Sequence, residues 1–597
     1  MSGRIPRRIT AACLVLAIAV SGCSKKDRGI QQEGQQKTTI SVRKEFQEHM
    51  EEIFRENVSD NGIELHYTLK NPEKYGIQEK SQDLGTISAS GIAEGKKETE
   101  QELKAIRRFP YEKLSEEQQE TYDVWKDYLT IQKELQKYPY HESVLAPVTG
   151  VQAQLPVTFC EYRLETKEDV ENYFHLLSQT GDYFESIIEY EKEKVKKNLF
   201  MSDESADAVI SQIHEFTKAK ANNSLIATFE DRISSVKNLT SSEQKEKIKK
   251  NRGIVLDQVL PAYEKLADDL ENLKGNGKNE AGLVYLKDGK AYYKALVKSQ
   301  TGSSSTIEDM IAMTEDSLKD CVLKTADIAE EFPEALQESA GDNLPDDLGT
   351  TPDDMLAELK KQIEKNFPKA PKVDCEIKYV HESLEKDLSP AFYMIPAMDD
   401  YKENVIYINR SQMDTSIQMY ATLAHEGYPG HLYQNVYYAS KEEEPVRYIL
   451  DYPGYSEGWA TYVESWSYTA AGGGKEKEAW EQLNVLGMEF NLALCSRVDF
   501  GVNYEGWKKE KVKDYLKQFY ISSSNAEHIF SMVVSEPANY LSYYIGYKEF
   551  IKLRDYYKKG AGKKYSLKKF HKLMLDAGPT SFNILKKRIN ENLRMEE

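Results

Sequence analysis

Two histidines and two glutamates in the second half of the chain have the residue types that bind a metal ion and use it in hydrolysis. His425 and Glu426 are adjacent, a Gly-Tyr-Pro-Gly segment separates them from His431, and Glu457 lies further along the chain. Two imidazoles and a carboxylate suit Zn²⁺ and leave a fourth position for water. We therefore expect His425, His431 and Glu457 to bind zinc, with Glu426 as the general base, as in the short motif HExxH. The alternative is two histidines near a turn whose ring nitrogens bond to backbone carbonyls.

The spacing of the two histidines requires an interrupted helix. Six residues turn a regular helix by about 600°, so His425 and His431 would point in different directions. Pro429 has no N–H to donate to the carbonyl of His425, and with Gly430 beside it the chain can leave the helix. We therefore expect a helix broken at Pro429.

The third ligand needs a second helix. Glu457 begins the sequence Glu-Gly-Trp-Ala-Thr-Tyr, and the 25 residues between His431 and Glu457 are enough for one helix, a connection and the start of the next. Trp459 and Tyr462 are expected to face the core and fix that helix in place.

The rest of the body is expected to be mainly α-helical. Apolar residues recur at three- and four-residue spacing among Glu and Lys, which indicates amphipathic helices. These patterns cover residues 42–57, 168–198 and 242–272. A capping box, with Ser305 as the cap and Glu308 reaching back to it, predicts a helix that continues toward Lys324. Another helix is expected to begin near Thr351, with Pro352 at its first position.

Strand signals are scarce and lie just before the metal-site helix. β-branched and aromatic residues cluster over residues 375–380 and 404–409, which predicts a small β-sheet there. Residues 275–290 are rich in Gly, Lys and Asn and are a candidate seam between two halves. We therefore expect an N-terminal helical region over 41–300 and a catalytic region over 301–597.

The beginning of the chain has the pattern of an export signal. Three arginines within residues 4–8 precede a short apolar run over residues 9–20, which leads to Ser-Gly-Cys23. The run is shorter than the ~20 residues of a spanning helix, so a lipoprotein signal peptide over 1–22 is expected. Cys23 would then be lipidated, with residues 23–40 as a tether and the protein on a membrane outside the cytoplasm. An ordinary N-terminal helix or a soluble signal cleaved elsewhere is the alternative.

Composition narrows the possible partners. The formal net charge is -19 at pH 7, and loss of the signal peptide would remove three Arg and make it about -22. This charge argues against nucleic acid as a partner, and membrane attachment would depend on the lipid anchor. The remaining cysteines are widely spaced without any CxxC pair, so free thiols are expected rather than disulfides or a thiolate zinc site. These are Cys160, Cys321, Cys375 and Cys495.

The HEGYPGH segment that contains His425 and His431, with EGWATY from Glu457 onward, resembles the bacterial family known as domain of unknown function 885, which has an HExxPGH signature. The likeness extends from about Leu283 to the C-terminus, through segments such as 287–293, 497–501 and 541–546. The resemblance implies a mainly helical, zincin-like peptidase fold similar to oligopeptidases and zinc carboxypeptidases, with a deep groove. It does not imply a particular substrate.

Four later residues receive roles by their chemistry. Tyr543 and, after it, His571 are candidates to donate a hydrogen bond to the oxyanion that forms in peptide hydrolysis. A core phenol and a surface or capping histidine are the respective alternatives. Arg497 could hold a substrate carboxylate or form a structural ion pair, and the structural role is preferred. Asn503 stands where the family commonly has His, and as a substrate-binding residue it could still donate a hydrogen bond.

Three functions account for these features to different degrees. The first is zinc-dependent hydrolysis of short peptides outside the cytoplasm. The second is a lipid-anchored protein that captures peptides or glycans without catalysis, which leaves the His425, Glu426, His431 and Glu457 pattern unexplained. The third is a metal-dependent amidase that acts on cell-wall peptides.

Overall fold

The computed structural model describes residues 38–596 with several internal gaps. The gaps are residues 79–81, 148, 340–347, 382–384, 386–388, 413–415, 442–443 and 472–475. Cys23 and the predicted signal peptide lie outside the described residues. The fold is 73% helix with one small sheet of three strands, which confirms the expected mainly α class.

The described residues up to position 301 form twelve α-helices. They are α1 (Thr39–Ser59), α2 (Gly62–Thr68), α3 (Ala89–Ile106), α4 (Glu116–Leu135), α5 (Val151–Glu161), α6 (Lys167–Ser178), α7 (Thr180–Lys196), α8 (Asp203–Lys218), α9 (Ser224–Arg232), α10 (Ser241–Ile254), α11 (Leu260–Leu273) and α12 (Gly289–Thr301).

The described residues from 302 onward form another twelve. They are α13 (Ile307–Glu331), α14 (Pro333–Ser339), α15 (Pro352–Gln362), α16 (Ser416–Glu426), α17 (His431–Ala439), α18 (Pro453–Ala471), α19 (Lys477–Phe500), α20 (Lys509–Lys517), α21 (Ser523–Ser535), α22 (Asn539–Ala561), α23 (Leu567–Ala577) and α24 (Phe582–Glu596). No helix in the described part of the chain is long and apolar enough to cross a membrane.

Hydroxyl and amide side chains cap the beginning of many of these helices. Thr351 caps α15 with Pro352 at its first position, as predicted. For α13 the cap is Thr306, whose hydroxyl accepts from the backbone N–H of Asp309, so the prediction of Ser305 was wrong by one residue. The adjacent hydroxyls offer the same chemistry, and in the structure Ser305 instead donates to Glu549.

The sheet lies beside the helices of the candidate site. Its strands are β1 (Asp374–Tyr379), β2 (Ala391–Met394) and β3 (Glu403–Ile408), in the order β1-β3-β2. β1 pairs with β3 in parallel, and β2 pairs with β3 in antiparallel, with Tyr393 opposite Ile406. Strands β1 and β3 confirm the prediction. The four-residue strand β2, which the sequence analysis missed, packs against α16.

The apolar core of the described residues has three main clusters. One combines residues 42–131 with residues 335–589, so the first and last parts of the chain share a core. A second lies within residues 63–270, and a third joins residues 199–318 to residues 492–545. The boundary predicted near residue 300 stays a prediction. All four cysteines of the described body are free thiols, as expected.

Candidate metal centre

The chain leaves the helix between the two histidines. Helix α16 ends at Glu426 and α17 begins at His431, which confirms an interruption at the predicted place. The peptide bond before Pro429 is cis, and the Pro429 carbonyl accepts a hydrogen bond of 2.9 Å from the indole N–H of Trp459. A Cβ on Gly430 would lie 1.8 Å from the carbonyl oxygen of His425, so only glycine fits this turn.

Helix α18 delivers Glu457 to the histidines. It packs closely on α22, where a Cβ on Gly458 would lie 2.4 Å from the carbonyl carbon of Gly546. Trp459 is fully buried and Tyr462 is 4% exposed, so both face the core as predicted. The close glycine contact and the two aromatic anchors fix the rotation of α18, and therefore the direction of Glu457.

The structure brings His425, His431 and Glu457 together in a buried cluster. Their candidate ligand atoms lie within 4.8 Å of one another. Glu457 Oε2 lies 3.5 Å from His425 Nε2 and 3.3 Å from His431 Nε2. Ligand atoms about 2.0–2.2 Å from a tetrahedral zinc ion lie roughly 3.3–3.6 Å apart, so the two distances to Glu457 and the chemistry of the three donors suit a divalent metal ion.

A further carboxylate orients the first histidine. Glu464 Oε2 lies 3.0 Å from His425 Nδ1, two helical turns beyond Glu457 on α18. Burial lowers the pKa of His425, but hydrogen bonds to Glu457 and Glu464 and the charge of Glu426 outweigh it and raise this pKa to about 10. The cluster therefore favours a positive charge at its centre. Glu464 is not among the residues predicted from the sequence, although its spacing of seven residues from Glu457 places both on one helical face.

Glu426 is fully buried beside these ligands, and β2 positions it. Its Oε2 accepts a hydrogen bond of 2.9 Å from the backbone N–H of Tyr393. Because β2 is an edge strand, this N–H points away from β3 and toward α16. The short strand thus fixes one carboxylate oxygen of Glu426.

Tyr543 of α22 also lies beside the cluster. Its ring centroid is 6.3 Å from that of His425, with an angle of 22° between the ring planes, and the side chain is 6% exposed. The structure thus places the ring of Tyr543 beside His425, the first of the three candidate ligands.

The model of the family described as "Bacterial protein of unknown function (DUF885)" matches residues 72–589. The chain belongs to this family. No curated protein matches the sequence of this DUF885 protein.

Solved structures resemble the fold of this DUF885 protein at low identity. A predicted lipoprotein from Colwellia psychrerythraea is 20% identical with a TM-score of 0.81, covering 93% of this chain and 100% of its own. A predicted lipoprotein of unknown function from Shewanella oneidensis is 14% identical with a TM-score of 0.59, covering 94% and 100%. A predicted oligoendopeptidase F from Bacillus anthracis is 12% identical with a TM-score of 0.33, covering 84% and 95%. The first two similarities show a shared fold only, and nothing is concluded from the third at its TM-score.

In this DUF885 protein the hydrogen bonds and ring contacts described for His571 are not with His425, His431 or Glu457. His571 is fully buried in α23, where Nε2 lies 2.9 Å from the hydroxyl of Tyr462 and Nδ1 lies 2.7 Å from the carbonyl oxygen of Asn366. Its ring stacks on Phe367 at 4.1 Å. Burial lowers the pKa of His571 to about 3, so it is a neutral core residue, and we give it no part in catalysis.

Arg497 is engaged in structural contacts. Its guanidinium lies 2.8 Å from a carboxylate oxygen of Glu315 and 2.8 Å from one of Glu505, and it stacks on Trp507. These contacts match the structural role preferred for Arg497 on sequence grounds.

Asn503 is also engaged within the fold. It is fully buried, accepts from the N–H of Leu283 at 3.0 Å and donates to the carbonyl of Val533 at 2.8 Å. Neither Asn503 nor Arg497 is placed to bind a substrate by these contacts.

Proposed function

We propose that this protein hydrolyses peptide bonds in short peptides with the help of a bound zinc ion. The observation that carries the proposal is the buried convergence of His425, His431 and Glu457, whose candidate ligand atoms lie within 4.8 Å of one another. Their spacing and chemistry suit zinc, and Glu426 stands directly beside the first ligand. When bound, zinc supplies Lewis acidity, which polarises a carbonyl group and acidifies water.

Glu426 carries the proton in the proposed reaction. Its carboxylate takes a proton from a water molecule as the water oxygen attacks the carbonyl carbon of the peptide bond. The C–N bond then breaks, and the same carboxylate passes the proton to the leaving amine. The products are a new carboxylic acid and a new amine, and Glu426 returns to its charged form. At neutral pH the acid then gives its proton to the amine, which leaves a carboxylate and an ammonium ion. The Tyr393 N–H holds one of its oxygens during this cycle.

Tyr543 is the proposed donor to the oxyanion. The negative charge that develops on the carbonyl oxygen needs a hydrogen bond from a fixed group. Tyr543 is buried on α22, and its ring centroid lies 6.3 Å from that of His425, which supports this role.

Metal content and peptide cleavage test this function together. We expect about one zinc ion per purified chain, and a loss of about 100- to 10,000-fold in kcat in Glu426→Gln with the zinc retained. Glu478→Gln, a neutralised and exposed glutamate of α19, is the matched control and should cleave normally. A wild type without stoichiometric zinc, or a Glu426→Gln variant as active as the control, would overturn the proposal.

We also propose that the protein acts outside the cytoplasm from a lipid anchor at Cys23. The export pattern of residues 1–23 supports this, as does the fold shared with two predicted lipoproteins. Replacing Cys23 by Ala should move the protein from the membrane fraction to the soluble fraction. Unchanged membrane attachment of that variant would contradict the anchor.

A further inference from the structure

A cavity of about 210 Å³ lies beside the candidate metal centre. Several of the residues that line it are close neighbours in sequence of residues in the candidate site. Met394 follows Tyr393, Gln434 lies one turn after His431, and Ser456 precedes Glu457. A group bound in the cavity would therefore stand next to the elements that hold the ligands and the general base.

The lining of the cavity is mainly apolar and aromatic. Representative side chains are Met394, Ile395, Tyr438, Leu450, Tyr452 and Tyr455. Such a wall favours a bulky apolar or aromatic group, because burying it removes apolar surface from water.

Two carboxylates give this apolar cavity a negative charge. Glu64 and Asp451 both line it, and none of the described lining residues is Lys or Arg. Both charges act on one buried phenol, since burial first and then Asp451 and Glu64 raise the pKa of Tyr128. Burial also raises the pKa of Glu64, against a weaker opposite effect of the Thr68 hydroxyl, so a cation beside Glu64 would stabilise its charged form.

The distance from these charges to the site suits the end of a peptide. Asp451 lies two residues before Pro453, the first residue of α18, and Glu457 lies four residues after it. About 6 Å of helix and at most about 7 Å of chain before it therefore separate the two residues, so they lie on the order of 10 Å apart. Two or three residues of extended peptide span about that length.

We propose that this cavity binds the ammonium-bearing end of a peptide substrate, with a bulky apolar side chain against the aromatic wall and the ammonium group near Glu64 and Asp451. The inference rests on the proposed peptidase function for its biological meaning. The cavity would thus select peptides that have a bulky apolar residue next to a free amine. The bond to be cut would lie a few residues away from that amine. An N-terminal amine and a lysine side chain are the two sources of such an ammonium group.

Binding is measured without turnover, so that the inference can fail independently of catalysis. The full chain is treated with a chelator and titrated calorimetrically with a short peptide that begins with Phe, and with the same peptide acetylated at its N-terminus. We expect acetylation to weaken binding by about tenfold, because it removes a charged hydrogen-bond donor. An acetylated peptide with Lys at its second position tests the other source of the ammonium group. Equal recovery of binding there shows that a lysine side chain can also supply the charge, whereas no recovery assigns it to the N-terminal amine.

Variants connect the effect to the cavity. In the double variant Glu64→Gln, Asp451→Asn the free and acetylated peptides should bind within about twofold of each other. Asp514→Asn, an exposed control on α20, should keep the tenfold difference. Ala439→Phe places a ring inside the cavity and should weaken binding of the Phe peptide while sparing one that begins with Gly.

The outcomes separate the inference from the proposed function. If wild type binds all the peptides alike, or if the double variant still discriminates, the assignment of this cavity is wrong even where cleavage occurs. If binding discriminates as expected but no peptide is cleaved, the cavity assignment stands and the peptidase function falls.

Discussion

Two fully buried histidines receive partners from the same helix and acquire opposite charge preferences. His425 has Glu464 of α18 on its Nδ1 atom at 3.0 Å, and hydrogen bonds to carboxylates raise its pKa to about 10 despite burial. His571 has Tyr462 of α18 on its Nε2 atom at 2.9 Å, and burial lowers its pKa to about 3.

The difference comes from the charge of the partner and not from the depth of burial. A phenol and a backbone carbonyl satisfy the His571 ring without adding charge, so the ring stays neutral in the core. Carboxylates around His425 leave negative charge that a cation must balance. Burial with acidic partners thus marks a cation site, whereas burial with neutral partners marks a packed core histidine.

The same substitution at two histidines should separate these roles most strongly. His431→Asn removes one of three ligands, and a zinc affinity of roughly 10–16 kcal/mol shared among them predicts a loss of about a thousandfold or more. His571→Asn should leave the zinc affinity unchanged within about threefold, because that ring touches none of the ligands. Calorimetric zinc titration of both variants is the measurement. An equal loss in the two would mean that a general loss of structure, and not ligation, accounts for it.

The site residues could be found from sequence because metal chemistry restricts residue types and spacing. The pattern of His425, Glu426, His431 and Glu457 predicts the site, and Pro429 predicts the helix break between the two histidines. Glu464 shares a helical face with Glu457, but it was not predicted as a partner of His425, because its contact with a residue of α16 depends on the rotation of α18 about its axis. That rotation is set by contacts with α22, such as the close approach of Gly458 to Gly546, which no local pattern encodes.

The fold was predictable where one segment carries its own signal. The periodicity of the helices and the caps of α13 and α15 can be identified within one segment of the sequence. Strand β2 has only four residues, and it is a strand because it pairs with β3. His571 is similar in this respect, since the carbonyl that fixes its ring belongs to Asn366, 205 residues away. Long-range partners of this kind decide whether a histidine is structural or functional.

Acid stability should reveal the neutral character of His571. Its folded pKa of about 3 lies below the ordinary value of about 6.5, so its contribution to stability is complete above pH 6.5 and is lost as pH falls toward 3. This one group should cost about 3 kcal/mol of unfolding free energy between pH 6.5 and pH 4. In His571→Asn this loss of unfolding free energy between pH 6.5 and pH 4 should disappear. His528→Asn, an exposed control on α21, should keep it.

The measurement is urea unfolding at a series of pH values with a chelator present, so that metal binding does not contribute. If the unfolding free energy of wild type and of His571→Asn depended on pH in the same way, His571 would not be a neutral core residue. If His571→Asn does not fold, the ring signals of His571 in wild type still decide the matter by NMR, because they should not titrate above pH 5.

The smallest effects should come from the two α18 partners themselves. Glu464→Gln keeps the shape of the side chain but removes the charge beside His425, and loss of such an outer carboxylate weakens metal binding by about 10- to 100-fold. Tyr462→Phe removes one buried hydrogen bond to His571, which should cost about 1 kcal/mol of stability and leave zinc affinity unchanged. Both variants are measured by zinc titration and by urea unfolding. We expect Glu464→Gln to lower the zinc affinity and Tyr462→Phe to lower the free energy of unfolding. If Glu464→Gln lowered stability without changing zinc affinity, the carboxylate would be a structural partner like Tyr462, and the distinction between the two histidines would lose its electrostatic basis.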